Sequence, residues 1–409
     1  MDQAVALREE TSSSGHGALA GLRVLDVSNF MAGPTAAMYL GDFGAEVIKV
    51  EHPRGDGFRH WGRTREGQPL FWKMLSRNKH CITLNLSQPR GQEMLRDLVR
   101  QADILVENFT PGVMARWGLG YDDLAAVNPG LVMLSISAFG QTGPYSQRPG
   151  FGTLAEAMSG FAHINGQSDG PPTLPSFGLA DGLAGLNGAF GVLAAIIRRQ
   201  QDGKGQHVDT SLCEPLMTLL GPQVIEYDQL NVVQDRLGSR LPFSAPRNVY
   251  RTQDGRYLSM SSSAQSVFER TMQAIGRPEL IQDERFIDNR ERGKNVEQLD
   301  AIIGEWVARH TVDQAMRIMV QAEAAAAPVY SVADAVADEH FVSRGSFVTV
   351  QDAQLGPVRM QAPTPRLSRT PASVEFPGPA LGEHNELVYG ALLGLSADQL
   401  AELKAEHII

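Results

Sequence analysis

The sequence predicts an α/β protein whose large domain is a parallel sheet covered on both faces by helices. Short apolar runs alternate with helical patterns through the first half of the chain. Repeated strand–helix–strand units of this kind favour parallel pairing with both faces buried. The character of the chain then changes near residue 223 and again near 337, which predicts a smaller α+β domain (223–336) inserted into the larger one (20–222 plus 337–409). A length of 409 residues leaves room for both.

RVLDVS (23–28) has the composition of a buried strand. TAAMYLGDFG (35–44) has helical spacing and ends in Gly44, a favoured C-cap. AEVIKVE (45–51) is the second strand and CITLNL (81–86) the third. PRGQEMLRDLVRQA (89–102) is a helix with Pro89 in its first turn, where an N–H has no helical partner to lose. DILVENF (103–109) and LVMLSISAF (131–139) are further strands. A long helix rich in small residues runs from about Gly182 to Ile197, and GKGQHVDTSL (203–212) is a turn leading into a strand or helix start. In the smaller domain NVYRT and RYLSMSS are strand-like, amphipathic helices fall near 265–275, 296–309 and 312–322, and Pro328 ends the region. From about 337 a Pro-rich extended tail leads to a final helix (396–407) with Ser396 as its N-cap. Residues 1–19 are polar and read as a mobile arm.

Composition removes several function classes. Asp and Glu total 46 against 36 Lys and Arg, a net charge of −10, which argues against a nucleic-acid partner. The two cysteines, Cys81 and Cys213, support neither a disulfide scaffold nor a CxxC metal site, and fit a cytoplasmic location. None of the ten histidines forms HExxH or a close His/Cys cluster, so no metal site is expected. No apolar run approaches the ~20 residues that span a bilayer, so no membrane partner is expected. A GxSxG elbow is missing too, which leaves Ser–His hydrolysis without local support.

Ligands on parallel sheets sit at the carboxyl ends of the strands. The first such end, Ser28 to Pro34, lacks GxGxxG, and a nicotinamide dehydrogenase is disfavoured. Glu51 ends the second strand where a ribose-binding acid would stand. Arg77-Asn78-Lys79 and Arg116 lie near strand ends, either as phosphate holders or as a solvated basic edge paired with surface acids. The most informative stretch is PSFGLADGLAG (175–185), where one carboxylate, Asp181, stands between an apolar segment and a Gly/Ala-rich helix. Asp181 reads as an N-cap and also as a nucleophile toward an activated acyl group. The two roles are compatible, because a helix N-terminus stabilises an anion. Asp209 is the rival acid and reads as structural.

Together these segments resemble the CaiB/BaiF family, the class III coenzyme A transferases. The resemblance rests on GLRVLDVSNFMAGPTAAMYLGDFGAEVIKVEHPRGD, RNKHCITLNL, ADILVENFTPGVMARWGLGYDDL, ISAFGQTGPY, EAMSGF, ADGLAGLNGAFGVLAAI, GKGQHVDTSL and PGPALGEHNELVYGALLG, in family order across most of residues 21–395. It implies a Rossmann-like large domain built from both chain ends, a small inserted domain, and an interlocked homodimer in which each chain threads the other. It implies an acyl-CoA:carboxylate CoA-transferase, with a coenzyme A thioester as substrate and no prosthetic group. The family nucleophile is an Asp placed like Asp181, which passes through an aspartyl anhydride and an aspartyl-CoA thioester. The coenzyme A contacts carried over are Met31, Ala32, His52, Leu84, Asn85, Leu86, Ser87, Asn108, Phe109, Thr110, Arg116, Ser137, Ala138, Phe139 and Gly140. His52 stands where some members have an Arg, and Phe139 takes the place of a Tyr.

Two departures from the family narrow the reading. Formyl-CoA transferases cover the site with a Gly-rich loop; here the region reads GSRLPFSAPRN (238–248). Arg240 and Arg247 within it either clamp the second carboxylate of a dicarboxylic acid or serve as surface or dimer contacts. The racemase branch needs a Gly-His-Asp after the ISxFGQ strand, and this chain has Gly150-Phe151-Gly152, so the acid–base partner for α-proton transfer is missing. The expected reaction moves coenzyme A from a donor such as succinyl-CoA to a small dicarboxylate, for example malate, citramalate, mesaconate or itaconate. A 2-methylacyl-CoA racemase of the same family and a non-catalytic acyl-CoA-binding dimer are the alternatives.

Overall fold

A computed structural model describes residues 17–409. Of the segment read as an arm, residues 1–16 lie outside the described residues, and the Leu19 N–H donates to the Phe43 carbonyl at 2.9 Å. The chain divides into two compact units. The first holds the described residues through Phe161, then Leu174–Val224 and Val342–Ile409.

Its centre is a six-stranded sheet of β1 (Arg23–Asp26), β2 (Glu46–Glu51), β3 (Lys79–Thr83), β4 (Ile104–Glu107), β5 (Val132–Ser137) and β6 (His207–Ser211). The order is β3-β2-β1-β4-β5-β6 and every pairing is parallel. The chain reverses direction across the sheet between β1 and β4, which leaves a crevice at the carboxyl ends of those strands. Alternate residues separate into two layers, as the two-residue period of a strand requires. Leu25, Ile48, Ile82, Leu105 and Met133 face one layer. Val24, Val47, Ile104, Val106 and Leu134 face the other. Each such side chain contributes about 1.5–3 kcal/mol by leaving water.

Five helices matter for the site: α1 (Ala32–Asp42), α2 (Pro89–Val99), α3 (Gly152–Met158), α4 (Leu179–Asp202) and α5 (Cys213–Leu219). The first layer is covered by α2 and by the chain's end, through Val388, Tyr389, Leu392, Leu400 and Leu403. The second is covered by α1 and α4, whose contact surfaces are mostly alanine. A Cβ on Gly185 would stand 2.7 Å from the Thr35 Cβ, and one on Gly188 2.9 Å from Leu134 Cδ2. Glycine is therefore what lets α4 lie so close to α1 and the sheet.

Helix α4 corrects two expectations. It starts at Leu179 rather than near Gly182 and runs to Asp202. By length and composition it also matches a membrane span, although no such run was expected. Its buried side, including Ala180, Ala184, Ala189 and Val192, packs within the second layer. The tail holds more structure than its prolines suggest: a hairpin of Phe347–Asp352 with Gly356–Gln361, and a helix at Asn385–Leu393. Ser396 caps the last helix as expected, its Oγ accepting the Gln399 N–H.

The second unit comprises Ala162–Thr173 and Ile225–Phe341. An antiparallel sheet of Arg247–Arg251, Tyr257–Ser261 and Ala326–Pro328 packs with helices Gln265–Ala274, Val296–Val307 and Val312–Gln321. Phe268, Phe286, Leu299, Ile303 and Met319 form its core.

Candidate active site

The carboxyl end of β1 turns through Ser28 to Met31 into α1. Phe30 in this turn has φ +58°, a left-handed conformation that costs a non-glycine residue roughly 1–2 kcal/mol. Several hydrogen bonds hold it there. The Phe30 N–H donates to Asp56 Oδ1 at 3.1 Å. Asn108, at the end of β4, accepts from the Asn29 N–H and donates to the Asn29 carbonyl, both at 2.7 Å.

A buried charge network lies beneath the turn. Lys79 donates to Asp26 Oδ2 at 3.0 Å and to the Pro34 carbonyl at 2.7 Å. Lys49 donates to the Ser28 carbonyl and lies 3.5 Å from Asp56. Arg77 makes a two-point pair with Asp42 at 2.9 and 2.6 Å, and Arg59 makes one with Glu51 at 2.7 Å. Neither alternative for the basic edge therefore holds for Arg77 and Lys79. Both are spent inside the protein, and Glu51 is closed to a ribose for the same reason. Breaking such a pair from one side typically costs about 3–5 kcal/mol, because the other charge stays buried.

Five residues expected at coenzyme A line one cavity of about 90 Å³ at the strand ends: His52, Leu84, Leu86, Ser87 and Phe109. Trp117, which no motif in the sequence singles out, lines it as well, edge-on to Phe109 at 5.3 Å. His52 accepts the Arg54 N–H at Nδ1 (3.0 Å). Burial first, and the Arg54 charge second, hold its imidazole below the usual value. The Asn85 side chain turns away, accepting from Ser87 N and Oγ at 3.2 and 2.6 Å. Arg116 sits exposed on a one-turn helix and forms no ion pair among the described residues. Thr110 lines a second cavity of about 370 Å³ with Glu107, Tyr121, Ser135, Gln141 and His207. Burial pushes the Glu107 carboxyl up to about 7. At the end of β5 the Ser137 hydroxyl is buried and has no hydrogen-bond partner among the described residues. The Ala138 carbonyl accepts from Cys213 Sγ, Phe139 meets Tyr145 edge-on at 5.9 Å, and Gly140 takes φ +86°.

Asp181 is the third residue of α4, not its N-cap. The cap position is Gly178, which has no side chain to offer. A Cβ there would stand 2.6 Å from Met31 Sδ, so a side chain at this position would have to displace the Met31 thioether. The same closeness appears from α3, where a Cβ on Gly152 would stand 2.2 Å from Asp181 Oδ2. Ala32 is buried at the start of α1, and its carbonyl lies under Gly185 of α4. Phe151 meets Phe30 edge-on at 6.5 Å, and Phe30 meets Trp61 at 5.7 Å, giving a rim of three exposed aromatics. Burial first, and the charge of Glu156 second, push the Asp181 carboxyl up to about 6. Such a group is ionised at neutral pH and is more basic than an ordinary aspartate, which makes it a better nucleophile.

Arg240 and Arg247 belong to the second unit. Arg240 Nε lies 2.7 Å from Asp300 Oδ2, and Arg247 donates to the Ser239 carbonyl.

The sequence profile of CoA-transferase family III matches residues 19–385. The chain belongs to this family. It is 43% identical over 390 residues to the succinyl-CoA–D-citramalate CoA-transferase of Chloroflexus aurantiacus, covering 95% of this chain and 97% of that one. It is 38% identical to the beta subunit of the succinyl-CoA–L-malate CoA-transferase of the same organism, covering 96% and 98%. A crystal structure of a CaiB/BaiF family protein from Brucella suis superposes with a TM-score of 0.82 at 32% identity, over 92% of this chain and all of the other. This family III CoA-transferase is therefore an enzyme that moves coenzyme A between an acyl-CoA and a carboxylic acid, with the coenzyme A thioester as a substrate. The family and the α/β fold around a central parallel sheet are those the sequence predicts.

Proposed function

We propose that this CoA-transferase exchanges coenzyme A between succinyl-CoA and a small dicarboxylic acid through covalent intermediates on Asp181. One observation carries the reading: a half-buried carboxyl, pushed up to about 6, held in the first turn of α4 with one oxygen against Gly152. An Asp181 oxygen attacks the thioester carbonyl carbon. The new C–O bond gives a mixed anhydride, and the C–S electron pair leaves on the coenzyme A sulfur. The thiolate then attacks the aspartyl carbonyl, releasing succinate and leaving aspartyl-CoA. The acceptor carboxylate attacks that thioester, and the steps run in reverse to the new acyl-CoA. The anhydrides are prone to hydrolysis, so water has to be kept from Asp181 while they exist.

The cavity lined by His52, Leu84, Leu86, Ser87 and Phe109 takes part of coenzyme A, with Arg116 free for a phosphate. Relatives named for citramalate and malate favour a dicarboxylate acceptor. Of the two candidate arginines, Arg240 is already neutralised by Asp300. Arg247 is bonded only to a neutral carbonyl and forms no ion pair among the described residues, which leaves its charge unmatched within the second unit.

Acid-quenched enzyme incubated with succinyl-CoA tests the covalent route. Peptide mass spectrometry is expected to find coenzyme A or succinate added at Asp181, and hydroxylamine to convert that residue to its hydroxamate. Exchange that runs with the adduct on another residue, or with none, refutes the reading.

The same reading takes the enzyme as one half of an interlocked homodimer. Leu186, Phe190 and Ile197 on α4 share one exposed face, and Met217 and Leu219 on α5 are exposed as well. Apolar surface of this extent on a folded unit marks a protein interface. Sedimentation is expected to give twice the 44.4 kDa chain mass down to nanomolar concentration. A folded monomer on dilution would contradict it.

A further inference from the structure

A second carboxylate sits beside the proposed nucleophile. Glu156 on α3 is 3% exposed and forms no ion pair among the described residues. Its Oε1 accepts the N–H of Ala180, the residue before Asp181, at 3.2 Å. Gly152 and Glu156 are four residues apart on α3 and so share one face. The first leaves room for the Asp181 carboxyl, and the second, bonded to the residue before it, pushes that carboxyl up by its charge.

Two features need a common cause. The first N–H groups of a helix have no partner within it, and an N-cap side chain normally satisfies one of them. Gly178 has no side chain to offer, and the Met31 thioether stands where one would be. Glu156 takes over that duty from a neighbouring helix. A glutamine would do so equally well, since its amide oxygen accepts the same N–H. Burying a carboxylate without a cation is costlier than burying an amide. The hydrogen bond accounts for the position of Glu156 and leaves its charge unexplained.

We propose that Glu156 is a positioning residue that fixes the first turn of α4 and sets its negative charge against Asp181, so that acylation of Asp181 is favoured by relief of repulsion. This rests on Asp181 being the nucleophile. When an Asp181 oxygen bonds to the thioester carbonyl carbon and the C–S bond breaks, one negative charge leaves the carboxylate pair and appears on the departing sulfur. Repulsion present in the free enzyme is absent from both the anhydride and the aspartyl-CoA forms. Glu156 thus raises the free carboxylate in energy without touching substrate.

The charged and titratable groups on the other elements packed against α4 do not explain the effect. They are Tyr39 and Asp42 on α1, His207 and Asp209 on β6, and Cys213 and Glu214 on α5, while β5 carries none. Asp42 is neutralised by Arg77, and Asp209 accepts from the Gln141 N–H. Among the described residues, Glu156 is the charge that pushes the Asp181 carboxyl up, after burial.

The test compares wild type, Glu156→Gln and Glu156→Ala by exchange of ¹³C-labelled succinate into succinyl-CoA across pH 4.5–8. In wild type the acid limb of kcat is expected near pH 6, where Asp181 protonates. Glu156→Gln is expected to move that limb down by roughly 0.5–1 pH unit and to lower kcat by roughly 3- to 10-fold, with KM for succinyl-CoA nearly unchanged. Glu156→Ala loses the Ala180 hydrogen bond as well and is expected to fall further. A limb set by Glu107, pushed up to about 7 elsewhere on the sheet, would not move. Glu156→Gln that superimposes on wild type overturns this inference and leaves Asp181 untouched. Exchange that survives in Asp181→Ala overturns the nucleophile itself.

Discussion

Asp181→Asn is expected to lose coenzyme A exchange by a factor on the order of 10⁴ or more, and to be more stable than wild type at neutral pH. The first effect follows because asparagine cannot form the anhydride, and a group that bonds to substrate has no substitute in the site. The second follows from the direction of the Asp181 shift, from an ordinary 3.8 up to about 6. Folding favours the protonated form of this group. Its contribution to stability is fully present below pH 3.8 and is lost as pH rises through about 6. Asparagine carries no charge and escapes that loss. The stability gap between variant and wild type should therefore open between pH 4 and 6 and then stay constant, at roughly 2–3 kcal/mol. Urea midpoints at pH 4 and 7.5, read alongside exchange rates, check both parts. A variant that keeps its activity, or a gap that is the same at both pH values, sinks the account. Activity and stability moving in opposite directions is the signature of a site held under electrostatic strain.

How far this site can be read in the sequence depends on the range of each interaction. The strands of the sheet are legible from the short apolar pieces they carry, VL in RVLD, VI in EVIKVE and VML in VMLSIS, although buried Arg23, Asp26, Lys49 and Glu51 break the continuous apolar run that burial on both faces would otherwise give. Asp181 is legible because it is the only acid in a Gly/Ala-rich stretch. Its place within α4 is not. Pro175, Gly178 and Gly182 look like loop, and only the packing of Ala180 and Ala184 in the second layer carries the helix back to Leu179. The fates of Arg77 and Lys79 are hidden because their partners, Asp42 and Asp26, are 35 and 53 residues away. Glu156 is the instructive miss. In TLAEAM a lone acid looks like the wet side of an amphipathic helix, and only three-dimensional burial separates it from one. The hairpin at 347–361 alternates correctly for strands, but the prolines that follow it make the whole tail look extended.

Gly152→Ala is the sharpest geometric test of the site. The added methyl would stand 2.2 Å from Asp181 Oδ2, 3.2 Å from its Cγ and 3.5 Å from the Ala180 Cβ. Only the last is an ordinary contact, so the Asp181 carboxyl has to move. It can do so cheaply by rotating about its own side-chain bonds, and the backbone need not shift. Alanine is also a better helix former than glycine, by about 1 kcal/mol in a helix interior and less at the first turn. Thermal unfolding of Gly152→Ala is therefore expected to match wild type or lie slightly above it. Activity should behave differently. A misplacement of about 1 Å in a reacting group costs on the order of 10²-fold, because attack on a thioester carbonyl requires a narrow approach. Exchange should fall by about that factor, and Gly152→Val should lower it further as the side chain grows into the same space. Loss of exchange with an unchanged melting curve places the carboxyl where the structure has it. Full activity in Gly152→Ala would mean that the oxygen facing α3 is not the one that reacts.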